Sequence, residues 1–134
     1  PNTDNPFVVI DGILEETDAK IILVDFHAEA TSEKLAMGYY LDGRVSAVWG
    51  THTHVQTSDC CILPAGTGYI TDIGMTGPVH SVLGIEVRQS IGKFLGDPPQ
   101  RYSSPGGAAK LECALFEIDA ETGKCVSAEA LRLT

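Results

Sequence analysis

Three of the four histidines in this 134-residue sequence share one kind of position. His27 comes soon after the aliphatic run Ile21-Ile22-Leu23-Val24, and His52 and His54 come just after the apolar run from Val45 to Trp49. In open α/β sheets, sites are built at the carboxyl ends of strands. Neutral imidazole is a good ligand for zinc, iron, manganese and nickel, so three rings delivered to one end of a sheet point to a transition-metal site. In His52-Thr53-His54 the two rings alternate along an extended segment, and a bend there lets them serve two metals or bridge them. His80, after Pro78-Val79 and away from the trio, reads as hydrogen-bonded or solvated. A structural zinc site that joins histidines to Cys60 or Cys61 is the competing metal reading. It is the weaker one, because adjacent cysteines lack the Cys-x-x-Cys spacing that closes such sites.

The elements that must hold these residues can be read from pattern. Asn5 caps a helix with Pro6 in its first turn and Phe7, Ile10 and Leu14 on its apolar face, ending near Asp18. Ile21 to Val24 is too short for a helix and reads as a strand covered on both faces. Thr31 or Ser32 opens a second helix, with Leu35, Ala36, Tyr39 and Tyr40 spaced to face inward and Gly43 ending it. With the strand from Val45 to Trp49 this forms a right-handed parallel crossover. From Pro64 to Pro78 the chain reads as loops around short strand candidates at Ile62-Leu63 and Tyr69-Ile70. A third helix is expected over Ile85 to Leu95. Lys110 to Ile118 and Lys124 to Leu133 read as two strands joined by the turn Asp119 to Gly123.

Composition narrows the function classes. The net charge is -9 and the nine Lys and Arg are scattered, so the sequence offers no basic groove for nucleic acid and no cationic face for an anionic membrane. A small phosphorylated substrate stays compatible, because bound cations invert the local field. No apolar stretch reaches the length of a membrane span, and the expected compartment is the cytoplasm. Four reduced thiols are expected there, since Cys60 and Cys61 are adjacent and Cys113 and Cys125 would not sit opposite each other in the hairpin. The sequence opens at Pro1 with a helix almost at once, which suggests a processed or truncated beginning.

Three blocks carry a family resemblance: Val24-Asp25-Phe26-His27-Ala28-Glu29-Ala30-Thr31-Ser32-Glu33-Lys34, Val48-Trp49-Gly50-Thr51-His52-Thr53-His54-Val55-Gln56-Thr57, and Gly74-Met75-Thr76-Gly77-Pro78. Together they resemble the YmdB-like branch of the calcineurin-like metallophosphoesterases, over nearly the whole chain. The resemblance implies that His27 and His52 bind one metal and His54 another. Asp25 is then either a hydrogen-bond partner behind a ligand or a turn residue at a strand end. Glu29 and Glu33 are placed at a helix start, and Lys34 in solvent. Thr51, Thr53 and Gln56 either line the site or serve as loop hydrogen-bonders. Nothing in the sequence matches the family's amino-terminal motifs, which carry the remaining metal ligands, the bridging groups and the catalytic histidine.

The expectation is therefore an α/β fold, half of a four-layer α/β/β/α metallophosphoesterase sandwich, with a mixed sheet and helices on its outer face. Residues 1–134 would form a single domain, the carboxy-terminal portion of the enzyme. By resemblance, the complete protein is a phosphodiesterase acting on cyclic nucleotides or other phosphodiesters, with two divalent metal ions, iron or manganese. No catalytic residue is assigned in this chain, which is expected to be inactive alone and to form a homo-oligomer or associate with the missing amino-terminal half. The alternative is a non-catalytic metal-binding or assembly domain derived from the same fold.

Overall fold

The computed structural model describes residues 4–134. Helix α1 (Pro6–Glu15) starts as its sequence dictates: the Asn5 side chain accepts the Phe7 amide at 3.0 Å, and Pro6 occupies a position whose N–H would have no helical partner. It stops at Glu15, short of the expected Asp18. Strand β1 (Leu23–His27), helix α2 (Thr31–Leu41) and strand β2 (Ala47–Thr51) form the expected parallel crossover, with Leu23 opposite Ala47 and His27 opposite Thr51. Strand β3 (Cys61–Ile62) runs antiparallel to β4 (Gly68–Ile70), which lies parallel to β2, so the first sheet is mixed with order β1-β2-β4-β3. The second sheet is antiparallel. It contains β5 (Thr76–Pro78), then, beyond helix α3 (Val87–Leu95), β6 (Ala109–Ile118) and β7 (Cys125–Leu133).

Helices α1 and α2 cover the outer face of the mixed sheet. Met37 and Leu41 of α2 pack with Val45, Val48, Leu63 and Tyr69, and Phe7, Ile10 and Leu14 of α1 close the cluster from the side. The inward face of α2 differs from expectation. Lys34, Met37, Gly38 and Leu41 are buried, whereas Leu35, Tyr39 and Tyr40 are exposed. The Tyr69 ring selects this face: a Cβ on Gly38 would lie 2.5 Å from it, so only glycine allows the helix to settle there.

The second sheet packs on the opposite face. Phe116 stacks against Trp49 with centroids 6.4 Å apart, and Gly68 makes room for Phe116 and Cys125. This cover is incomplete and corrects the reading of β1 as a strand buried on both sides. Ile22, Val24 and Phe26 pack toward the helices, but Ile21 is 45% and Leu23 54% exposed on the other face. An apolar groove of about 540 Å³ runs between the sheets there, lined by Leu23, Trp49, Leu115 and Phe116 among others.

Two further differences are local. Helix α3 begins at Val87, because Ile85 is held in a short bridge with Val82. Thr76–Pro78, read as loop, is an edge strand on β6. The β6–β7 hairpin follows expectation. The Asp119 carboxylate accepts the Glu121 and Thr122 amides, and Gly123 takes the positive φ of 72° that the turn requires. Cys113 faces Leu131 and Cys125 faces Ile118, and all four cysteines are free. Among the described residues no helix is long and apolar enough to cross a membrane.

Candidate metal centre

His27 is the last residue of β1, and its register partner Thr51 is the last of β2, so the two strands deliver them side by side. The Thr51 hydroxyl donates to Asp25 Oδ1 at 3.1 Å and lies 3.0 Å from His27 Nδ1. Since that hydroxyl has one proton and spends it on Asp25, it accepts from His27 Nδ1–H. The relay fixes the ring tautomer and leaves Nε2 as a lone pair, the state a ligand needs. Asp25 thus stands behind a histidine through Thr51.

His52 follows at once. Its Nδ1 lies 3.2 Å from His27 Nε2, with the rings inclined at 73°. That separation suits an imidazole hydrogen bond, and equally two nitrogens about 2.1 Å from one cation at an angle of roughly 100°. The donor set therefore fits a divalent transition metal, with His27 and His52 as the candidate ligand pair. His52 and His54 have positive φ values of 140° and 60°, the bend that turns an extended His-x-His segment into a loop. Such conformations cost on the order of 1–3 kcal/mol each and persist only where the surroundings enforce them. The bend sends His54 to the Leu83 carbonyl, 3.2 Å from its Nδ1, a contact that does not involve the His54 Nε2. Among the described residues no three His, Cys, Asp or Glu side chains gather into a metal-holding group. The chain brings together a pair, with a third histidine two residues on.

What enforces the bend is buried behind it. The Asp72 carboxylate accepts the Thr53 amide at 2.8 Å, between His52 and His54, and the Gly74 amide at 3.0 Å. Its counter-ion is Lys34, at 3.0 Å, with the two side chains 1% and 0% exposed. This corrects the placement of Lys34 in solvent. Its alkyl chain crosses β2 where Gly50 has no side chain to obstruct it. Burial raises the Asp72 pKa, but the Thr53 and Gly74 amides and the Lys34 ammonium outweigh that effect and hold the carboxyl below the ordinary value. Gln56 donates to the Cys113 and Leu131 carbonyls at 2.9 and 3.1 Å, tying the loop to the second sheet. Thr53 Oγ1 donates to the Val55 carbonyl at 3.0 Å. Both are loop hydrogen-bonders, the second of the two readings open for them. Glu33 accepts the Ala30 amide at 3.3 Å at the start of α2, where Ala30 has no oxygen of its own to cap with, and Glu29 and His80 are exposed. The buried pair escaped the sequence reading. Its one signal was an aspartate two residues beyond the short apolar run Tyr69-Ile70, another strand end.

Fold and site define an α/β sheet protein with an imidazole centre at the carboxyl ends of parallel strands. Within that class, the chain belongs to the family described as YmdB-like protein, whose model matches residues 1–131. It is 48% identical over 133 residues to the 2',3'-cyclic-nucleotide 2'-phosphodiesterase of Bacillus subtilis, covering 98% of this chain and 50% of that protein. Two crystal structures share its fold. A hypothetical protein from Thermus thermophilus superposes with a TM-score of 0.90 at 45% identity, over 97% of this chain and 51% of the other. A novel phosphatase from Mycoplasma pneumoniae gives 0.92 at 41% identity, over 98% and 47%. The chain spans about half the length of the relatives it matches.

Proposed function

We propose that this chain is the histidine-bearing portion of a metal-dependent phosphodiesterase whose substrates are 2',3'-cyclic nucleotides or similar small phosphodiesters. The observation that carries the reading is the pairing of His27 Nε2 with His52 Nδ1 at 3.2 Å at neighbouring strand ends. The name of the Bacillus subtilis relative supports the substrate class. His27 and His52 hold one cation and His54 Nε2 a second, each iron or manganese. When bound, such cations supply Lewis-acid polarisation of the phosphoryl oxygens and lower the pKa of a water.

The chain's own residues have a narrower task. Asp25 and Thr51 fix the His27 ring, and the Leu83 carbonyl fixes His54. Asp72 holds the loop between His52 and His54. None of them supplies the bridging carboxylate that neutralises two adjacent dications, so that group comes from a second segment. The exposed face of Ile21, Leu23 and Leu115 is where this chain would receive that segment or a second copy of itself.

The test uses the chain joined to an amino-terminal segment of a relative, assayed with manganese or iron on 2',3'-cyclic AMP. Turnover is expected. His27→Ala and His52→Ala should each lose the same metal equivalent, while His54→Ala mainly weakens the other. Full metal content in all three variants, or turnover independent of added metal, would refute the assignment.

A further inference from the structure

We infer that the cavity beside His54 is a nucleobase pocket. The inference deepens the phosphodiesterase reading and takes its physiological meaning from it.

The pocket is continuous with the metal centre through one residue. Leu83 offers its carbonyl to His54, and its side chain lines a cavity of about 160 Å³ together with Ile85, Ser90, Lys93, Phe94 and Tyr102. Leu83 holds a positive φ of 54°, a strained conformation that lets one residue serve both sides. The volume lies well below the roughly 300 Å³ at which pockets for whole drug-sized ligands begin. It accommodates one group of a ligand whose remainder lies outside, toward His54.

The lining indicates which group. Phe94 is 85% and Tyr102 44% exposed, so two aromatic side chains at this cavity are accessible to a stacking partner. The backbone on both sides of Tyr102 is strapped to α3 by one side chain. Gln89 donates to the Arg101 carbonyl at 3.1 Å and accepts the Ser103 amide at 2.8 Å. Ser90 is only 7% exposed and contributes to the lining of this cavity. A hydroxyl that can donate or accept, beside aromatic and aliphatic walls, suits the polar edge and flat face of a base. Lys93 adds a cation to the lining.

The experiment titrates adenosine, uridine and ribose into the protein without metal, following the ring signals of Phe94 and Tyr102 by NMR. Saturable shifts with adenosine and none with ribose are expected. Tyr102→Leu should weaken adenosine binding at least tenfold, Tyr102→Phe should retain it, and Ser90→Ala should change the adenosine-to-uridine preference. Absence of saturable shifts, or equal binding by Tyr102→Leu, would overturn the inference. So would signals that respond to protein concentration instead of adenosine, since the face would then be a protein contact. No phosphate or metal enters this measurement, so its failure leaves the phosphodiesterase reading intact, and failed turnover leaves it untouched in return.

Discussion

Lys34 and Asp72 lie 3.0 Å apart with both side chains out of water, and the same carboxylate holds the Thr53 amide between two histidines. The site's loop is therefore fastened to helix α2 through an ion pair that crosses the mixed sheet. Lys34→Met leaves the carboxylate buried with no counter-ion, which should cost about 3–5 kcal/mol. Lys34→Met combined with Asp72→Leu should recover part of that loss in urea unfolding. A single Lys34→Met variant as stable as the parent would show that water reaches Asp72.

Acid should unfold the protein through the buried Asp72 and Glu112 and the half-buried Asp59. Burial raises Asp59, Asp72 and Glu112, but donors outweigh it in each: the Thr57 and Thr71 hydroxyls, the Thr53 amide, and Lys110 with the Met75 amide respectively. All three titrate below their ordinary values of 3.8, 3.8 and 4.5. The unfolded chain then takes up protons at higher pH than the folded one. Their stabilisation is present above the ordinary values and is lost as pH falls through the folded ones. Tm should be level near neutrality and drop below pH 4.5. Glu112→Gln should make that drop shallower, and an unchanged profile would remove Glu112 from the account.

Gly50→Ala should destabilise by about 1–3 kcal/mol, as overpacking does in a filled core. The added Cβ would fall 1.9 Å from the Thr71 carbonyl oxygen and 2.5 Å from the Lys34 side chain. Because both neighbours lead to Asp72, the backbone signals of Thr53 should shift as well. A variant of parental stability would show that the strands can spread without loss.

Alone, the chain should self-associate and hydrolyse no chromogenic phosphodiester, even with manganese. Leu115 is 57% exposed beside Leu23, and β1 presents an unpaired edge. Sedimentation velocity should show concentration-dependent association that Leu23→Lys with Leu115→Lys suppresses. Robust turnover by the isolated chain would mean that its own acidic residues complete the site.

Local chemistry was legible wherever it is settled within a few residues. Asn5-Pro6 announced α1, and Asp119 to Gly123 announced the hairpin turn, though not the register shift at Glu117 and Ile118. The crossover followed from two aliphatic runs with a helix between them, which also placed His27 and His52 at strand ends. Long-range pairing stayed hidden. Lys34 looked like a solvated helix residue because its partner lies 38 positions away, and that error turned the face of α2. Thr76–Pro78 has turn composition and becomes a strand only because β6 offers an edge. The exposed side of β1 read as buried because its apolar content is real, while this chain supplies only part of the cover.

Gln56 sets an order of events. The loop carrying His52 and His54 is clasped to the Leu131 carbonyl, 75 positions along the chain. Loop closure over such a separation is slow compared with forming a helix or a short crossover. On a translating ribosome the imidazole loop would therefore stay unclasped until strand β7 had emerged, and His52 and His54 would hold a looser arrangement until then.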